Sequence, residues 1–199
     1  MLYNNYKFIA IIKGRLSENR FVHSLNVADA AVLLAEKYGA DAKKAYTAGI
    51  LHDIMKEEKP EIQYRYISEN GEKLTRLEML NKQVLHQISG AAYCRAVLGI
   101  KDKELLGAVR YHTTGKRDMT LLQKVIYTAD FISADRCYPD VSVMREKAMQ
   151  SLEEAMFYSL QYTINDLAGK ALLIHPDTLE CYNSILEKLK EKEGIYEFI

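Results

Sequence analysis

Only five histidines occur in the 199 residues: His23, His52, His86, His112 and His175. One sits in Gly49-Ile50-Leu51-His52-Asp53-Ile54, where an apolar run ends in an adjacent imidazole and carboxylate, with Lys56 close behind. His23, His86 and His112 each lie on an apolar stretch or at its end, and Asp130 follows Ile126 by four residues and Leu122 by eight on an apolar segment. A single histidine on such a face is ordinarily a satisfied core residue. Asp130 alone would read as half of a buried salt bridge with Arg136 or Lys124, because an unpaired buried carboxylate costs several kcal/mol. Three such histidines together with His52-Asp53 and Asp130 point instead to a common partner. Imidazole nitrogens and carboxylate oxygens suit divalent iron, manganese, cobalt or zinc. No cysteine is placed to complete a structural zinc site. A divalent ion there lowers the pKa of bound water and neutralises phosphate charge, which is the chemistry of a phosphohydrolase. Lys56, four residues after His52, and Arg136, six after Asp130, are the cations expected at the phosphates. Arg20, one helical turn before His23, is a weaker candidate on the same face.

The elements that must position these groups are helical. Prolines number three and no sustained alternation of strand type occurs, so the spacing predicts an all-α bundle of about eight to ten helices. A first strong helix is expected from about Asn19 to Tyr38, stopped by Gly39, with His23, Val27, Ala30 and Leu34 on one face. The next starts near Asp41 and carries His52 at its end, and a charged helix follows Pro60 as far as Asn70-Gly71. Glu72 to Gln83 reads as loop plus a short helix. His86, Gly90, Tyr93 and Val97 share the next face, and Asp102 caps a helix through His112 that Thr113-Thr114-Gly115 breaks. Leu121 to Ala134 is apolar on nearly all sides and must be central. One long helix from about Ser142 to Leu167 and a last from about Thr178 to Lys192 are expected, joined by the apolar turn Leu172 to Pro176, in which His175 is an unremarkable turn histidine. The whole forms one domain over 1–199, with a metal-binding core at about 19–140 and the helices of 141–199 packed on it. Asp29, Asp41, Asp102, Asp118 and Asp135 read as surface or capping residues.

Composition narrows the function. Lys+Arg and Asp+Glu are both 27, so the footprint of a nucleic-acid polymer binder is missing. Cys94, Cys137 and Cys181 form no CxxC and read as reduced thiols filling the core. The run Phe8 to Ile12 is too short for a signal-peptide core and no stretch approaches a membrane span, so the expected location is the cytoplasm. The 14 tyrosines permit a homodimer contact without arguing for one.

The ordered pattern His23, His52-Asp53, Asp130 resembles the H…HD…D signature of the HD-domain metal-dependent phosphohydrolases. The segments FVHSLNVADAAVLLAEKYG, AGILHDIMKE, HQISGAAYCRAVLGI, VRYHTTGKRDMTLLQKVIYTADFISADR and LLIHPDTLECYN together resemble the bacterial YqeK family, from about Arg20 to Asn183. The resemblance implies an all-α HD fold that binds one or two ions, iron first and manganese or cobalt as alternatives, and hydrolyses diadenosine tetraphosphate symmetrically to two ADP. By position it implies His23, His52, Asp53 and Asp130 as metal ligands. His86 and His112 would meet phosphates or, with Asp53, hold a second ion, and these groups with Lys56 would carry catalysis. Lys56, Thr113 and Arg136, with Arg20 as a further contact, would touch the phosphates of a dinucleoside polyphosphate or ADP-like nucleotide. Ile174, His175, Pro176, Asp177 and Thr178 would border the nucleotide. One departure is Asp140, where the family pattern leads one to expect Gly. The same metal residues would serve an HD hydrolase of a nucleoside monophosphate, a dNTP or a guanosine polyphosphate, and a nucleotide-sensing module without turnover is the reading from a different class.

Overall fold

The structure is a computed structural model that describes residues 3–192 and Gly194. Among the described residues it is all-α, with no strand. In chain order the helices are α1 (Asn5–Lys13), α2 (Glu18–Tyr38), α3 (Ala42–Leu51), α4 (Pro60–Glu69), α5 (Arg76–Leu80), α6 (Leu85–Ala96), α7 (Lys103–Arg110), α8 (Leu121–Ile132), α9 (Val141–Gln150), α10 (Leu152–Gly169) and α11 (Pro176–Lys192). A 3-10 turn, Lys82–Val84, leads into α6. No described helix is long and apolar enough to cross a membrane.

The ends of these helices are written locally. Asp41 and Asp102 each accept two backbone N–H groups at the starts of α3 and α7, satisfying donors that would otherwise be orphaned. Thr75 with Glu78, and Thr120 with Gln123, form capping boxes on α5 and α8. Gly39 ends α2 in the left-handed region at φ 80°. The single long helix expected from Ser142 is two helices instead. Ser151 is extended (φ −154°, ψ 130°) and its hydroxyl accepts from the Glu154 N–H, so the Ser-x-x-Glu pattern starts α10 rather than continuing α9. That division and the N-terminal α1 bring the count to eleven, above the expected eight to ten. The α7 helix also stops two residues before His112, α6 ends before Val97, which is half exposed, and α11 begins at Pro176 rather than Thr178.

The main core runs from Phe8 and Ile12 through α2, α3, α6, α7 and α8 to Ala155. Complete burial of a side chain such as Ile12 contributes roughly 1.5–3 kcal/mol. Helix α8 is apolar on opposite sides for a reason. Leu122, Val125, Ile126 and Ala129 enter the main core, and Tyr127 packs with Met156, Leu160, Cys181 and Ile185 of α10 and α11. Helices α2 and α3 meet with backbone against backbone: a Cβ added to Gly49 would lie 2.5 Å from the Ala28 Cα. Cys94 and Cys181 are buried as expected, but Cys137 is exposed, because it lies in the open turn after α8. Asp140 adopts φ 64°, a left-handed conformation that favours Gly but that Asp tolerates. The turn before α9 therefore keeps its shape with the unexpected residue.

Candidate metal centre and adjoining cavity

Five elements deliver the chemistry-bearing side chains to one place. His23 comes from the second turn of α2, His52 caps the C-terminus of α3 and Asp53 follows it into the turn. His86 opens α6, His112 lies just past α7, and Asp130 stands on the last turn of α8. All four imidazoles are buried, as is Asp53, while Asp130 is partly buried. His52 lies edge-on to both His23 and His112, with ring centroids 5.4 and 4.9 Å away.

The hydrogen bonds fix which nitrogen of each ring faces inward. The Nδ1 of His52 lies 2.7 Å from the Gly49 carbonyl, that of His86 2.8 Å from the Gln83 carbonyl, and that of His112 2.8 Å from the Val109 carbonyl. The Nδ1 of His23 lies 2.8 Å from Asp135 Oδ2. A carbonyl or carboxylate oxygen only accepts, so each Nδ1 carries the proton and donates it, leaving Nε2 with an in-plane lone pair. Those lone pairs converge. The Nε2 atoms of His86 and His112 are 3.0 Å apart, and those of His23 and His52 are buried with no hydrogen-bond partner.

The carboxylates meet these nitrogens from two sides. Asp53 Oδ1 is 3.3 Å from His86 Nε2 and 3.4 Å from His112 Nε2, while Oδ2 is 3.4 Å from His52 Nε2 and 4.0 Å from His23 Nε2. Asp130 Oδ1 lies 3.0 Å from His23 Nε2. Two groups could each hold an ion, His23 with His52 and Asp130, and His52 with Asp53 and His112. His86 falls outside both groups, and its Nε2 is also in reach of Lys56 Nζ at 3.3 Å and Thr113 Oγ1 at 3.1 Å.

The electrostatics ask for positive charge here. Burial opposes ionisation of Asp53, but His52, His112 and His86 outweigh it and hold its pKa well below the usual carboxylate value. Burial likewise opposes Asp130, and there the adjacent His23 ring and the Arg136 charge prevail and hold its pKa well below the usual carboxylate value. Burial would lower His52, yet Asp53 and Asp130 raise it. Burial dominates at His86, whose pKa falls to about 4, and also lowers His112. Two neutral imidazoles with facing lone pairs, beside two ionised carboxylates, fit a divalent cation bound by nitrogen and oxygen. The orphaned Nε2 atoms of His23 and His52 fit it too.

The outer residues take specific places. Arg20 Nη1 reaches Asp53 Oδ2 at 2.9 Å, a more direct contact than its position before His23 suggested. Arg136 grips Asp130 twice, through Nε to the backbone oxygen at 2.8 Å and through Nη2 to Oδ1. The salt bridge considered for Asp130 is thus present with Arg136, whereas Lys124 pairs with Glu153 instead. Two contributors escaped the sequence reading. Asp135, taken as a surface residue, holds His23 and also accepts from the Asn26 amide at 3.1 Å. Fully buried Gln87 accepts from the N–H groups of Thr113 and Thr114 and donates to Thr114 Oγ1, fixing the turn after His112. Neither had a spacing signal, because both act across the tertiary structure.

A cavity of about 430 Å³ adjoins the cluster at Thr113. Leu80, Val84, Leu167, Leu172 and Leu173 give it an apolar wall, and His175 and Thr178 reach it from the start of α11. Ile174, Pro176 and Asp177 stand outside that wall. His175 is held by the Asp177 N–H, which donates to its Nδ1 at 3.1 Å, and its Nε2 faces Glu78 Oε1 at 3.4 Å.

Known proteins resemble this chain in sequence and in fold. A model described as "HD domain" matches residues 20–135. The chain is 39% identical to a "Bis(5'-nucleosyl)-tetraphosphatase, symmetrical" of Halalkalibacterium halodurans, covering 94% of this chain and all of the relative. It is 37% identical to a protein of the same name from Bacillus subtilis, covering 90% and 96%. A crystal structure from Clostridium acetobutylicum, described as a predicted HD superfamily hydrolase involved in NAD metabolism, superposes with a TM-score of 0.91 at 33% identity, over 94% of this chain and all of that one.

Proposed function

Because the chain belongs to the HD-domain family, we propose that it is a metal-dependent symmetrical bis(5'-nucleosyl)-tetraphosphatase, cleaving diadenosine tetraphosphate and water to two ADP. The observation that carries the chemistry is the convergence of the four inward Nε2 lone pairs on Asp53 and Asp130. The names of the near-full-length relatives support the substrate.

His23, His52, Asp53 and Asp130 would hold the first ion. The two oxygens of Asp53 face different sets of imidazoles, so Asp53 is the group able to share a second ion with His112 and His86. The donor set suits divalent iron, with manganese or cobalt as alternatives. When bound, such an ion supplies an acidified water and neutralises charge on the phosphates.

The chain's own residues do the rest. The leucine-walled cavity beside Thr113 takes one nucleoside, with His175 and Thr178 at its edge. Lys56 projects its ammonium to His86, where it can meet an oxygen of the departing ADP, and Thr113 can donate to the same phosphates. Arg20 and Arg136 hold Asp53 and Asp130 in place, so Arg136 acts here as a positioning residue and less as a phosphate contact. The water oxygen bonds to one inner phosphorus, and the central bridging oxygen leaves on the other ADP. Cutting between the two inner phosphates requires the cavity to fix the distance from its bound nucleoside to the His-Asp cluster. The cytoplasm is the location consistent with a nucleotide substrate and free cysteines.

Incubation with diadenosine tetraphosphate, with and without added iron, followed by nucleotide separation tests the reading. ADP as sole product, formed only with metal, is expected. ATP plus AMP, or no turnover in any metal-loaded sample, would overturn it.

A further inference from the structure

A second cavity, of about 700 Å³, lies on another face, between the end of α6 and α7. Its charged wall is one-sided: Arg95, Lys101, Lys103 and Arg110 stand against the single carboxylate Glu72. That carboxylate does not neutralise them. Glu72 is 4.0 Å from Arg95 and 3.9 Å from Arg110, the outer limit of ion pairing. Lys101 and Lys103 make no ion pair among the described residues, and both are exposed. Nη1 of Arg110 is buried and has no hydrogen-bond partner. The desolvation cost of that nitrogen is relieved when the guanidinium turns outward and an anionic oxygen in the cavity meets it. Ile100, Leu106 and Ala91 close the floor, so the space is concave rather than a flat basic face.

We propose that this basic cavity binds a compact polyphosphate anion, separately from the metal centre. Four cations around one concavity match several phosphate groups better than a single carboxylate or sulfate. The site is also wired to the substrate cavity. Arg110 Nη2 reaches Glu78 Oε1 at 3.3 Å, and His175 Nε2 faces the same oxygen at 3.4 Å. Glu78 cannot swing away, because its Oε2 accepts from the Thr75 N–H and hydroxyl at 2.8 and 2.9 Å. An anion that draws Arg110 outward weakens its hold on Glu78 Oε1 and changes how tightly His175, a wall residue of the 430 Å³ cavity, is held. Arg110 also lies two residues before His112 on the same turn.

The probe is inorganic triphosphate, titrated calorimetrically into the metal-loaded full-length protein. The metal centre itself attracts phosphates, so a two-site isotherm is expected. In Lys101→Gln/Lys103→Gln one of the two events weakens roughly tenfold or more, while the other is unchanged. A Lys7→Gln/Lys13→Gln control, equal in charge change but on α1, keeps both events. A one-site isotherm in the unmodified protein, or equal weakening in the control, would overturn the site. Kinetics read the coupling: the plot of apparent KM for dinucleotide against triphosphate should curve away from the straight line of simple competition, and be a straight line in Lys101→Gln/Lys103→Gln. A straight line in both would overturn the link through Arg110.

Discussion

Replacing Gly49 by Ala tests whether the packing of α2 on α3 sets the metal centre. The new Cβ would lie 2.5 Å from Ala28 Cα, 2.9 Å from Ala28 N and 3.1 Å from Ala28 Cβ. Carbon atoms pack at about 3.5–4.0 Å, so the two backbones must separate by roughly 1 Å. No side-chain rotation relieves the contact, because the nearest atoms are backbone. Overpacking of this kind costs about 1–3 kcal/mol, and a backbone clash belongs at the upper end. Removing a helical Gly returns about 0.5–1 kcal/mol, leaving a net loss of about 2 kcal/mol. For a chain of this size that lowers Tm by roughly 4–8 °C. The separation also moves His52 and Asp53, at and just past the end of α3, relative to His23 on α2, and a displacement near 1 Å can cost about 100-fold in turnover. Gly90→Ala is the control. Its Cβ would meet Val109 at 3.4 Å, the His52 carbonyl at 3.7 Å and Ile54 at 3.8 Å, all ordinary contacts, so it should hold or slightly raise Tm and keep activity. Differential scanning fluorimetry with a nucleotide-release assay measures both. Gly49→Ala with unchanged Tm and turnover, or the same losses from Gly90→Ala, would refute the reasoning.

Other expectations follow from single contacts. Asp135→Ala should weaken metal binding about 10–100-fold by freeing the His23 ring, read by titration of the metal against a competing chelator; unaltered affinity would remove Asp135 from the site. Asp140→Gly should unfold no earlier than the unmodified protein, whereas Asp140→Val should lose about 1–2 kcal/mol at φ 64°; equal denaturant midpoints for Val and Asp would contradict this. Alkali should destabilise the fold. Burial pushes Cys94 up to about 12 from 9.0, Cys181 to about 11 from 9.0 and Tyr138 to about 12 from 10.0. The folded state then keeps protons that the unfolded chain releases. Their stabilisation is complete below pH 9.0 and is lost as pH rises toward about 12. A urea midpoint that is lower at about pH 10.5 than at about pH 8 is expected, and an equal or higher one would contradict it.

Helix existence was legible where apolar period and caps agree. Asp41, Asp102, Gly39 and the run from Leu121 placed the end of α2 and the starts of α3, α7 and α8 almost to the residue, whereas α7 and α8 each stop two residues short of the expected His112 and Ala134. The break at Ser151 was missed because the apolar period continues across it from Met144 and Ala148 to Leu152 and Ala155, all four buried, and only the Ser-x-x-Glu cap announces it. In the site, the titratable groups stranded on apolar faces were visible because burial without a partner is costly. Asp135 and Gln87 were not, since one sits past a helix end and the other inside a helix of ordinary composition. Their roles exist only once α2 and the turn after α7 are brought beside them. Arg20 was underrated for a related reason: sequence put it on the His23 face, but its partner Asp53 lies in the turn after another helix, α3.

The placement of three of the histidines has a common cause. His52, His86 and His112 each donate Nδ1–H to the carbonyl three residues earlier. The end of a regular helical ladder leaves such a carbonyl without its backbone donor and so available to a side chain. His52 caps α3, His112 follows α7, and His86 takes its carbonyl from the 3-10 turn before α6. A helix end thus supplies the tautomer-setting acceptor from the ligand's own segment, without recruiting a second residue. His23 lies inside α2, where the carbonyl three residues earlier, that of Arg20, takes the Ser24 hydroxyl at 3.1 Å in addition to its place in the ladder, and His23 is the one of these four imidazoles whose Nδ1 takes a carboxylate from elsewhere. That contrast explains why the chain needs Asp135 and why no comparable acid accompanies the other three.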